Sequence, residues 1–281
     1  MSSPAPPAIQ KLPTDPLFQL GRWFFAAGIT FFAFQYLFYG HYLGGTPPVP
    51  PWAPGGAAGT YAMGILLLAA GIGLVTPQFG RWSALIVGAL YLACIVFLHL
   101  PHTRDVIFSG QERTRALEPL SLAAAAFALA ALLRTDHASV EGPVSDAFLR
   151  RFGIVIFALA LPVYGYQHFE YFSYLANLVP AWMPAHKFLI GFTGVAFIAA
   201  GIAILFRIMA RTAAIWLGIM FFIFTVTLHA PRVDHNPHNA DEWASLFVAL
   251  AMCGASWIIA AAPFRPRRDK PLVFLRIHRS S

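Results

Sequence analysis

Apolar stretches and short polar breaks alternate along the whole chain. Runs rich in Ala, Leu, Ile, Val, Phe and Gly occupy positions 18–40, 59–76, 81–100, 117–134, 150–174, 186–206, 211–230 and 242–263. Crossing the hydrocarbon core takes roughly 17–25 helical residues, so each run is long enough to span it. These runs are apolar on every side, so length, flanking charge and proline breaks define them rather than a 3.6-residue period. Pro47, Pro48, Pro50, Pro51 and Pro54 exclude a helix between the first two runs. Thr76 to Arg81 reads as a tight turn, Arg134 to Arg150 as the longest polar stretch in the middle, and Phe264 to Ser281 as a basic tail. Pro101 and Pro231 read as helix stops, and Pro119 as a first-turn proline. The pattern predicts an all-α membrane protein with eight transmembrane helices.

The runs also repeat. A shift of 130 residues lays Pro50, Trp52 and Pro54 on Pro180, Trp182 and Pro184, and Arg81, Gly88, His99 and Pro101 on Arg211, Gly218, His229 and Pro231. A shift of 132 lays Gln35 and Tyr39 on Gln167 and Tyr171, and one of 124 lays Glu118, Ser121 and Leu122 on Glu242, Ser245 and Leu246. Many matches in one order, with small gaps, predict a tandem duplication. Four helices per unit return the chain to its starting face, so the expectation is two parallel four-helix repeats and not an inverted pair. The expected division is a disordered arm over 1–17, units over 18–136 and 148–263, and a cytoplasmic tail over 264–281.

Composition sharpens this picture. Of 281 residues 58% are hydrophobic and 11% charged, against about 25% charged in soluble domains. Lipid is the solvent such an exterior requires. The net charge of +7 follows topology: of 19 Lys and Arg, all but Lys187, Arg104, Arg113, Arg115 and Arg232 fall on the face that holds both termini. By the positive-inside rule that face is cytoplasmic, which predicts an integral protein of the plasma (inner) membrane. Because the basic residues follow the helix ends, nucleic-acid binding is not expected. Cys94 and Cys253 lie in apolar runs without metal spacing and read as buried structural residues. The first residues lack a basic segment followed by an apolar one, so no cleavable signal is expected there.

The duplicated polar residues fall on the opposite, outer side. In the first unit they are Gln35, Tyr39, Trp52, His99 and Glu118; in the second Gln167, Tyr171, Trp182, His229 and Glu242, joined by His168 and His186. Ionisable groups at membrane depth are functional candidates. Imidazole beside a carboxylate can bind a metal, relay a proton or polarise a quinone carbonyl. The same pair can also do no more than cap and fasten two helices, since His suits a helix C-terminus and Glu an N-terminus. His229, His235, His238 and Glu242 together could supply three nitrogens and a carboxylate to zinc, iron or copper, which marks the second unit as the richer one.

Gln167-His168-Phe169-Glu170-Tyr171, Val179-Pro180-Ala181-Trp182-Met183-Pro184, Ala199-Ala200-Gly201, Leu228-His229-Ala230-Pro231-Arg232 and Glu242-Trp243 together resemble the DoxX/DoxD-like membrane family. The first unit carries a looser form in Gln35-Tyr36, Val49-Pro50-Pro51-Trp52, Leu98-His99-Leu100-Pro101 and Glu118. Members of that family are usually single four-helix units, some linked to thiosulfate:quinone oxidoreduction or membrane thiol redox complexes. The resemblance implies a redox-associated subunit with a membrane or redox partner protein. A quinone or small ligand would sit near His229, Glu242 and Gln167. His229 would then hydrogen-bond or protonate the ligand, Glu242 would orient His229, and Tyr171 and Trp182 would wall the site. A non-catalytic scaffold, with structural His–Glu pairs, is the other expectation.

Overall fold

A computed structural model describes residues 15–133 and 145–264. Most of the expected arm, the polar middle stretch and the basic tail lie outside those residues. The described chain is helical throughout its regular structure. Eight helices are long and apolar enough to cross a membrane: α1 (Pro16–Tyr39), α2 (Gly56–Val75), α3 (Gly80–Phe108), α4 (Gly110–Leu132), α5 (Asp146–Glu170), α6 (His186–Leu205), α7 (Ala210–His235) and α8 (Ala240–Ala261). A short helix, Phe172–Leu178, follows α5.

The helix starts are set by capping side chains. The Asp15 carboxylate accepts from Leu17 N with Pro16 at the first position, and Ser145 accepts from Phe148 N. Ser109 accepts from Glu112 N, and Asn239 from Asp241 N, each with acidic residues in the following turn. Gly40 closes α1 at φ 68°, a left-handed cap that glycine adopts without a Cβ penalty.

Three expected boundaries are corrected. The third span runs past Pro101 to Phe108, α4 begins at Gly110 with Pro119 inside it, and α7 passes through Pro231 to His235. Hydropathy stops where side chains turn polar, but a capped helix continues into the interface. An interior proline removes a backbone donor and crowds the preceding turn. Both α3 and α7 widen into a π-type turn just before their prolines, over Ile95–His99 and Thr225–His229. Each widened turn ends on a histidine.

α4 and α8 are the innermost helices, with 67% and 72% of their most apolar windows buried. Around them the neighbours run α1–α2–α3–α4 and α5–α6–α7–α8, while α1 packs against α8, α4 against α5, and α4 against α8. The first helix of each half therefore lies against the last helix of the other. Small residues permit that approach, as expected where helices associate by packing rather than by escaping water. A Cβ at Gly28 of α1 would stand 2.6 Å from the Cβ of Ala251 in α8, and one at Gly153 of α5 would stand 2.3 Å from the Ala124 carbonyl of α4.

On the face holding the chain ends, Asp15 pairs with Arg211 at 2.8 Å and Asp146 with Arg81 at 2.7 Å, both across the halves. Arg22, buried in α1, donates to the carbonyls of Leu74 and Thr76 and closes the end of α2. On the far face, Gln35 of α1 donates to Ala240 O at the start of α8, and Gln167 of α5 donates to Gly110 O at the start of α4. Cys94 and Cys253 are buried and free.

Candidate functional site

The far face carries a half-open cavity of about 320 Å³ between the loop Gly44–Pro50, the end of α3, the first turns of α4 and α8, and Tyr174. Two helix N-termini converge there because Ser109 and Asn239 start α4 and α8 side by side. The loop is held by side chains from both halves. Tyr36 donates to Thr46 O at 2.7 Å and accepts from Val49 N, while Thr46 Oγ1 donates to Gln35 Oε1 at 2.7 Å. Asp241 of α8 accepts from Gly45 N at 3.0 Å. Arg115 of α4 donates to Gly44 O and pairs with Glu112. Tyr42 stands edge-on to Tyr36 at 5.7 Å, and burial raises its phenol above the ordinary value.

His99 looks into this cavity from the end of the widened turn in α3. It is 2% exposed; no side chain bonds either ring nitrogen, and the Pro48 carbonyl is the one polar group of the protein set against the ring. A buried polar group without a partner costs roughly 1–3 kcal/mol, so evolution or a ligand must compensate it. Trp52 leans over the ring from outside, 6.3 Å from His99 and 4.2 Å from His102 between ring centroids. Glu118 lies on the cavity wall about two turns into α4, and its carboxylate makes no hydrogen bond or ion pair within the protein. Gln111, Thr114 and Ser245 add neutral polar groups to the wall.

Of the residues expected from the sequence, His99 and Glu118 come together at the cavity, and Gln35 pins its loop. Gln35 also borders an open apolar groove of about 530 Å³ on the outside of the bundle, formed with Phe31, Phe34, Phe38, Tyr39 and Trp243. Trp52 and Trp182 are exposed.

The second set is arranged differently. Gln167 bonds Gly110 O and Thr114 Oγ1. His168 is tied to Tyr164 O and packs on Phe197, and His186 is tied to Pro180 O. Tyr171 covers Gly110, where a Cβ would stand 2.3 Å from its ring. Glu242 is not bonded to His229; it pairs with Arg232 at 2.8 Å, leaving its second oxygen and His229 Nδ1 buried without partners. The proposed metal set of His229, His235, His238 and Glu242 is corrected: among the described residues no three His, Cys, Asp or Glu gather as a metal-holding group. The reason is local. α7 continues past His229, which carries His235 and His238 out to exposed positions, and Arg232 engages the carboxylate.

The alignment of Glu118 with Glu242 is corrected as well. Helix starts recur at an offset of 130 residues: Ser109 and Asn239 as caps, Glu112 and Glu242 three residues on. Glu118 has Val248 at that offset and stands as an additional carboxylate. Sequence reading missed Thr46, Arg115 and Asp241. Arg115 offered a signal, as one of few cations on the outer side; Gly44–Pro48 offered none beyond being a connector.

These features define an integral membrane helical bundle with a polar cavity at one end. No family model, characterised protein or solved structure matches the chain. Its resemblance to the DoxX/DoxD-like family therefore rests on the quoted motifs.

Proposed function

We propose that the protein is a small-ligand-binding membrane protein whose site is the cavity beneath Gly44–Pro50, on the extracytoplasmic side that the Lys and Arg distribution implies. The observation that carries this reading is His99: 2% exposed, with no side-chain partner, only the Pro48 carbonyl beside its ring, and lining a half-open polar space. A neutral imidazole offers one donor and one acceptor; the Pro48 carbonyl can take the donor, so the acceptor nitrogen is left to something placed in the cavity. A volume of about 320 Å³ suits a small molecule. The site therefore moves from the second half, where the sequence placed it, to His99 and Glu118.

The DoxX-like reading gives this ligand a redox character, as the headgroup of a quinone accepting a hydrogen bond from His99. The apolar groove on the other side of Gln35 supports that version, since a tail could remain in lipid there. The scaffold reading is supported by the second half, where Arg232–Glu242 and Gln167 fasten helices. Two four-helix units in tandem are supported by the common offset of helix starts and by the matched Gln35 and Gln167 bonds.

Native mass spectrometry of the protein released from lipid nanodiscs tests the binding reading. One small molecule per chain is expected, absent from His99→Phe. Equal ligand masses in both proteins would transfer the site elsewhere, and no bound mass at any ligand concentration would favour the scaffold.

A further inference from the structure

The wall of the cavity carries an unbalanced charge. Glu118 and Asp241 face it, and the only cation beside them among the described residues, Arg115, is already shared with Glu112 and the Gly44 carbonyl. Asp241 holds Gly45 N through one oxygen, a bond that leaves its charge in place. Glu118 makes no hydrogen bond or ion pair, and Arg115 acts on it only through its charge. A carboxyl group at this depth either keeps its proton or takes up a positive charge, because an isolated carboxylate in low dielectric is strongly disfavoured. His99 adds an independent requirement: a ring 2% exposed, with the Pro48 carbonyl to take its donor and nothing in the protein to serve its acceptor nitrogen, which in the neutral form accepts one hydrogen bond.

We infer that the cavity takes a small organic cation, an ammonium compound, held between Glu118 and Asp241 with one N–H donated to His99. The inference names the ligand class and rests on the reading of the cavity as a ligand site. A bare metal ion fits less well, since the described residues form no metal-holding group. A quinone presents acceptors only, so it would satisfy the donor of His99 and leave both carboxylates unmatched. An alkylammonium presents donors and charge to all three.

The test uses the whole protein in one detergent, read by its thermal unfolding midpoint. Methylammonium, ethylammonium and choline chlorides are compared with sodium chloride at equal ionic strength, and 2,3-dimethoxy-5-methyl-benzoquinone serves as the neutral probe. At least one organic cation is expected to raise the midpoint saturably, and Glu118→Gln is expected to weaken that effect about tenfold or more. A second measurement needs no variant: dicyclohexylcarbodiimide labelling of Glu118 in the wild-type protein, followed by peptide mass spectrometry, is expected to slow when the cation is bound. Protection by the quinone alone, lost in His99→Phe, would keep the cavity as a ligand site and overturn the cation. If no probe raises the midpoint or slows labelling, both the cation and the cavity reading fall.

Discussion

The two halves of the far face carry similar residue types and use them differently. In the second half Glu242 meets Arg232, Gln167 is bonded to the start of α4, and His235 and His238 stand in water. In the first half a loop folds over His99 and Glu118, and neither is bonded by a side chain of the protein. The half with more histidines has His235 and His238 solvated and Glu242 paired, while Gln167 Oε1, His229 Nδ1 and Glu242 Oε2 stay buried without partners. In the half with fewer, His99 and Glu118 gather at one cavity. Chemistry is better located by unmet bonding under enclosure than by the density of candidate ligands.

The largest effect should come from the pair of bonds that the halves share. Gln35→Leu strands Thr46 and Ala240 O, while Gln167→Leu strands Gly110 O and Thr114. Each is expected to lower stability by about 1–3 kcal/mol, read as the thermal midpoint in a fixed detergent. A loss in only one of the two would break the correspondence between the halves at the level of fastening.

A smaller effect separates the halves. Glu242→Gln weakens a pair whose side chains are 34% and 17% exposed, so solvent screening limits the loss to about 1 kcal/mol. Glu118→Gln removes a charge that makes no ion pair and that Arg115 meets only at a distance, and stability should hold or rise. The midpoints of the two variants, compared without added ligand, decide it. A Glu118→Gln protein destabilised as much as Glu242→Gln would mean that Glu118 serves as a structural partner, and the contrast would be lost.

The eight spans were legible because bilayer thickness imposes a length that hydropathy reads directly. Their ends were not, since Ser109 and Asn239 begin helices in polar sequence that an apolar scan discards. Glu118, Ser121 and Leu122 match Glu242, Ser245 and Leu246 at a shift of 124, whereas the caps Ser109 and Asn239 recur at 130, an offset that appears only once the helix starts are seen. His99 was legible as a candidate from its place beside Pro101. The cavity was not, because it closes through contacts such as Gln35 with Ala240, separated by 205 positions in the chain. Nothing local in Gly44–Pro50 announces that Tyr36 and Asp241 will hold it down.

The smallest perturbation leaves stability untouched and reads the contrast in a rate. Diethyl pyrocarbonate acylates neutral imidazole nitrogens that solvent can reach. His235 ends the π-widened α7 and His238 follows it, both exposed, whereas both nitrogens of His99 are closed off beneath the loop. In the folded protein His235 and His238 should be modified first, and His99 only once the loop opens or the bundle unfolds. Peptide mass spectrometry over a time course separates the sites. Labelling of His99 at the rate of His238 would mean that water already reaches its nitrogens, in which case solvent supplies the missing bonds and the first half has no more claim to a ligand than the second.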